Sequence, residues 1–160
     1  MTTRSSRRTF VTRIATVVTA ASGGVAHAQE SNGVRGFDHV ALPMQNTDAM
    51  IAFYRRLGFQ VAEGNAAVSV YVGDQMINFH RPALWQNATF TLRAPAAKPP
   101  CGDLCFVWDG TAEQLKTMLD RAGAKIFEGP VPRQGGRRKS GSSAYVRDPD
   151  DNLLEFIIYS

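Results

Sequence analysis

From residue 36 onward the apolar positions repeat one rhythm twice: a short alternating run, a stretch with helical spacing, then three more alternating runs. In the first copy, residues 36–43 alternate as a strand does and stop at Pro43. Asn46 stands where a helix N-cap belongs, Met50, Phe53, Tyr54 and Leu57 keep the 3.6-residue period, and Gly58 suits the stop. Residues 59–62, 67–72 and 76–80 read as strands, with Gly73-Asp74 turning between the last two. In the second copy, residues 102–107 form the first strand. Thr111 and Gln114 form a capping box for a helix whose inner face is Leu115, Met118, Leu119 and Ala122, ended by Gly123. Residues 125–131 and 143–147 are strands, and Pro149-Asp150-Asp151-Asn152 turns the chain into a last strand from Leu153. The pattern predicts an α+β fold of two βαβββ modules, 36–81 and 101–160, joined by a proline-containing connector over 82–100 without a lasting period. A connector of that length in a compact domain is uncommon and is expected to line or cover a site.

Strand parity sorts the side chains, because residues two apart share a face. Val40 and Leu42, Ile77 and Phe79, Leu104 and Phe106, and Leu154, Phe156 and Ile158 make one apolar face for packing under two helices. The opposite face carries His39, His80, Asp103 and Glu155, together with Ala41, Cys105, Ile157 and Tyr159. A solvated outer face is one reading. The apolar company favours the floor of a cleft, where two imidazoles and one or two carboxylates suit a divalent ion with borderline N/O preference, such as Zn, Ni, Mn, Co or Fe. Trp85, Phe106 and Tyr159 are candidate walls.

Charge and cysteine usage narrow the setting. Residues 1–28 read as an export signal: Ser6-Arg7-Arg8-Thr9-Phe10-Val11 is a twin-arginine pattern, residues 14–25 are weakly apolar, and Ala26-His27-Ala28 places small residues at a cleavage point. An ordinary secretory signal or a basic tail is the alternative. Removing 28 of 160 residues leaves 132, with residues 29–35 as a linker, one domain over 36–160, and no membrane segment. The formal charge of +4 falls to about zero, since Arg4, Arg7, Arg8 and Arg13 leave with no acid, so the basic balance does not indicate a nucleic-acid partner. The setting is periplasmic or exported. Cys101 and Cys105 on one strand would lie about 13 Å apart, beyond disulfide reach, and are expected as free thiols, Cys105 as a buried structural one. Residues 132–142 carry Arg133, Arg137, Arg138 and Lys139 among glycines and serines and read as a mobile basic loop.

Three stretches carry a family resemblance: Phe37-Asp38-His39-Val40-Ala41-Leu42, the helix end Phe53-Tyr54-Arg55-Arg56-Leu57-Gly58-Phe59, and residues 147–155, Arg147-Asp148-Pro149 through Leu154-Glu155. Over about residues 36–160 the chain resembles the vicinal oxygen chelate superfamily, which includes glyoxalases, bleomycin-binding proteins and ring-cleaving dioxygenases. Ile77-Asn78-Phe79-His80, Asp103-Leu104-Cys105-Phe106 and residues 128–133 resemble its glyoxalase-domain or virulence-associated branch. The resemblance implies an open half-barrel cup, a divalent metal held by the first and last strand of each module, and a homodimer. It implies His39, His80, Asp103 and Glu155 as metal ligands, with Asp103 departing from the usual His, and Glu155 or Asp103 as the catalytic proton carrier. It further implies a lyase or isomerase acting on a small molecule with vicinal oxygens. A ring-cleaving dioxygenase and a non-catalytic binding or resistance protein are the alternatives, and the fold by itself does not choose between them.

Overall fold

The computed structural model describes residues 33–160, of which 36–160 form one compact unit. The signal segment and most of the linker lie outside the described residues. Strands β1 (His39–Pro43), β2 (Gln60–Glu63), β3 (Ala67–Val72) and β4 (Gln75–His80) make one sheet in the order β1-β4-β3-β2, with helix α1 (Thr47–Arg56) between β1 and β2. The second half repeats this with β5 (Asp103–Val107), α3 (Ala112–Ala122), β6 (Glu128–Gln134), β7 (Ser140–Arg147) and β8 (Leu153–Tyr159), in the order β5-β8-β7-β6. The α+β class and the duplicated βαβββ plan stand as the pattern predicts. The hydrogen bonding divides into two four-stranded sheets.

Between the halves the chain makes one short helix, α2 (Pro82–Trp85), where the sequence pattern shows none. Four residues are too few to display a period, and the signal was Pro82 itself, whose ring fixes φ for a first helical turn. The hairpin β6–β7 is also longer than expected. Arg133 pairs with Gly141 and Gln134 with Ser140, so the basic loop shrinks to residues 135–139. The strand expected over 125–131 forms as Glu128–Gln134 with Pro130 and Pro132 inside it, which is possible because β6 is the edge strand, where a residue without an N–H is tolerated.

The apolar faces of both sheets and the inner faces of α1 and α3 share one core. Phe79, Leu119, Leu154 and Tyr54 are fully buried in it, each worth about 1.5–3 kcal/mol relative to exposure. Phe59 stacks at a tilt on Phe106, and Phe106 on Phe156, at ring separations of 5.2 and 5.4 Å, which ties the halves together on the helix side. Phe106 therefore belongs to the core, and its residual exposure borders the hollow beside His39 and Cys105. The Thr111–Gln114 capping box and the left-handed Gly123 cap bound α3 as predicted.

Asn46 does precede α1, yet its side chain does not cap it. Its Nδ2 donates instead to the Asp150 carboxylate (2.8 Å) and to the Pro149 carbonyl (3.2 Å). Asp150 also accepts the main-chain N–H groups of Gln45 (2.6 Å) and Asn46 (2.8 Å), so the β7–β8 turn of one half grips the β1–α1 loop of the other. Asp148, in the same turn, accepts the Tyr54 hydroxyl at 3.0 Å. Burial pushes the Tyr54 phenol well up, and the neighbouring Asp148 carboxylate adds to it, so Tyr54 remains a donor. Replacing Asp150 by Ala leaves three N–H donors without their acceptor and is expected to cost roughly 3 kcal/mol by urea unfolding. Lys98→Ala, on the exposed connector, should change stability by less than about 0.5 kcal/mol.

Candidate functional site

Two pairing registers define the site. In the first sheet β1 runs parallel to β4 with His39 opposite Met76, Ala41 opposite Asn78 and Pro43 opposite His80. In the second, β5 runs parallel to β8 with Asp103 opposite Leu153, Cys105 opposite Glu155 and Val107 opposite Ile157. Laying one half on the other makes His39 and Asp103 counterparts, Ala41 and Cys105 counterparts, and Asn78 and Glu155 counterparts. His80 falls on Ile157, four residues along β4 from the partner of His39, about 13 Å of extended chain.

The acid of the second half sits among polar groups. Glu155 is half-buried, and its Oε1 accepts the hydroxyl of Ser143, itself 1% exposed, at 2.5 Å. Tyr145 stands opposite Glu155 in the β7–β8 register, and its hydroxyl accepts from Arg133 Nε at 2.9 Å. Burial raises the Tyr145 phenol, the Arg133 bond opposes this, and the Glu155 carboxylate adds to the rise. Arg133 also pairs with Glu128 at 3.0 Å. Cys105 is free and exposed where a buried thiol was expected, because its strand lies at the sheet edge. Its pKa is nevertheless pushed up to about 12, first by desolvation, then by the Glu155 and Asp103 carboxylates, so at neutral pH it is a thiol donor and not a nucleophile.

In the first half His39 Nδ1 bonds Asp38 Oδ1 at 2.6 Å, which fixes the ring and leaves Nε2 outward. A carboxylate on one nitrogen is the usual support of an imidazole that binds a ligand or ion through the other. His80 is 8% exposed, with Phe90 of the connector edge-on to its ring at 5.3 Å.

The chain matches the family model described as "Glyoxalase/Bleomycin resistance protein/Dioxygenase superfamily" over residues 36–156. It belongs to that superfamily. The chain is 35% identical over 132 residues to the glyoxalase domain-containing protein RDO1 of Mycosarcoma maydis, covering 82% of this chain and 72% of that one. It is 34% identical over 125 residues to virulence protein STM3117 of Salmonella typhimurium, covering 76% and 83%. The crystal structure of STM3117 superposes with a TM-score of 0.69 at 31% identity, over 79% of this chain and 98% of that one. The fold is also that of a lactoylglutathione lyase from Agrobacterium tumefaciens, with a TM-score of 0.58 at 22% identity over 78% and 94%. Members of the superfamily bind small molecules, often use divalent metals and often dimerise.

Against that background the four side chains singled out in the sequence divide by sheet. Asp103 and Glu155 share the second sheet, close enough that both act on Cys105. His39 and His80 share the first, close enough for the charge of one to act on the other. Among the described residues no three of His, Cys, Asp and Glu stand together as a metal-holding group. Asp38, Asn78, Ser143 and Tyr145 escaped the sequence reading. Asn78 was legible as the counterpart of Glu155 once each half was aligned from its last strand, whereas Ser143 and Tyr145 depend on the β7–β8 register.

His80 yields a pH prediction for metal-free protein. Burial lowers its pKa below the ordinary value, with a smaller contribution from His39. The unfolded chain then binds more protons between the folded pKa and about 6.5, so stability falls as pH drops through that window and is regained as it rises. Thermal unfolding in the presence of chelator should show this dependence, and His80→Phe should flatten it.

Proposed function

We propose that this protein is a glyoxalase-like lyase or isomerase that depends on a divalent metal and acts on a small substrate with vicinal oxygens. The observation that carries the reading is the counterpart relation of His39 with Asp103 and of Asn78 with Glu155, which sets donors at matching points of two equivalent sheets. A divalent ion would polarise two neighbouring substrate oxygens, and His39, Asp103 and Glu155 are the side chains of suitable chemistry to hold it. Among the described residues of one chain these donors do not gather into a metal-holding group. The proposal therefore includes a homodimer in which the first sheet of one copy faces the second sheet of its partner.

The chain's own chemistry is clearer around Glu155. A carboxylate held through Oε1 by the Ser143 hydroxyl can take a proton from a carbon next to a carbonyl and return it to the neighbouring carbon. Cys105 and Tyr145, both protonated at neutral pH, flank it as donors to the carboxylate, which is charged before the first transfer and after the second. An exported location is part of the proposal. It points away from glutathione and toward another thiol, or toward a substrate that needs none.

The test is metal analysis of the purified protein beside His39→Ala and Glu155→Ala, with light scattering for the oligomeric state. Near-stoichiometric metal in a dimer, lost in both variants, is the expected outcome, and Glu155→Gln should lower isomerase turnover of a hemithioacetal about 10²–10⁴-fold. A protein that takes up no metal on reconstitution and turns over nothing would instead be a binding or resistance protein.

A further inference from the structure

The connector lies against the first sheet and encloses a second set of polar groups there. His80, the last residue of β4, is 8% exposed as a residue, and its ring nitrogens, which bond to no protein group among the described residues, remain reachable from the cavity. Arg93 points back from the connector, where its Nη1 donates to the carbonyls of Ala94, Pro95 and Ala97 at 3.1, 3.1 and 3.3 Å. Those bonds fix the guanidinium and leave its Nε–Nη2 edge without a protein acceptor, and no carboxylate among the described residues pairs with it. The Trp85 indole is held in place by its bond to the Met44 carbonyl at 2.8 Å. Between them lies a cavity of about 100 Å³ lined by Ala41, Pro43, His80, Trp85, Arg93 and Ala97.

We propose that this cavity is a binding site for the carboxylate of a small organic acid. A planar carboxylate matches the open fork of Arg93, two parallel N–H groups set at the spacing of its two oxygens. His80 supplies a further hydrogen bond from within the wall. The volume equals about three water molecules, enough for a carboxylate and the carbon beside it. A phosphate dianion would bring twice the charge to a single guanidinium. Ala41, in the cavity wall, stands two residues from His39 on the same face of β1. The proposal rests on the concave face being the substrate face, and on that reading it specifies the substrate as a small acid with an oxygen next to its carboxylate.

The experiment is titration of metal-free full-length protein with lactate at fixed pH, followed by the His80 ring resonance and by calorimetry. The expected result is saturable binding that shifts the His80 resonance, is weakened at least about tenfold in Arg93→Gln, and is absent with lactamide, which lacks the charge. Arg93→Lys keeps the charge and a donor for the connector carbonyls, and it should bind lactate more weakly than wild type while keeping the native circular dichroism. Arg137→Gln, on the distant hairpin loop, should bind as wild type. The proposal is overturned if lactate gives no saturable shift, if lactamide binds equally, or if both Arg93 variants bind as well as wild type. Because the titration contains no metal, its failure leaves the metal-dependent reading standing.

Discussion

The five-residue turn from Asp148 to Asn152 holds the two halves in register, and the placement of every site group depends on it. Asp148 organises the turn from inside, its Oδ1 accepting the N–H groups of Asp150 (3.0 Å) and Asn152 (2.9 Å), while Asp151 takes the left-handed φ of 68° that closes it. Outward, Asp150 binds the loop after β1, Asp148 binds α1 through Tyr54, and Asn152 Oδ1 accepts from Cys101 (3.0 Å) and Gly102 (2.8 Å) at the start of β5. One turn thus sets the positions of β1, α1, β5 and β8. His39, Asp103 and Glu155 lie on three of those elements.

The burial of Asp148 exposes a balance within this turn. Desolvation raises its pKa, and the bonds from Asn152, Tyr54 and Asp150 pull the other way without fully offsetting it. The two buried carboxylates of the turn, Asp148 and Asp150, are compensated mainly by N–H and O–H dipoles and not by a cation, whereas the exposed Asp151 pairs with Arg147. A cation would have needed its own desolvation, whereas amide dipoles fixed by the main chain are already oriented.

Much of this architecture was legible in the residues. The duplication, both helices, the Thr111–Gln114 box and the strand parity follow from local chemistry, which acts over a few residues and leaves a period behind. Features set by partners distant in sequence were not legible. Asn46 looks like a cap, yet its amide is taken by Asp150, 104 positions away. Cys105, expected as a buried thiol, is exposed, because the strand edge that leaves it uncovered is invisible in the sequence. Of the candidate site, the donor types and their face could be read. Their distances could not, since parity fixes the side of a sheet and says nothing of position along it, and His80 illustrates the gap.

The clamp between the halves is built on main-chain N–H groups at Gln45, Asn46, Cys101 and Gly102, which any residue except proline supplies. A duplicated protein joined in this way is under little pressure to keep its two copies alike in side chain. After the duplication one copy was free to carry Asn78 where the other carries Glu155, and His39 where the other carries Asp103, while the union survived. The fold could thus turn two equivalent half-sites into an imidazole side and an acid side, a division of labour inherited from a seam that does not read side chains.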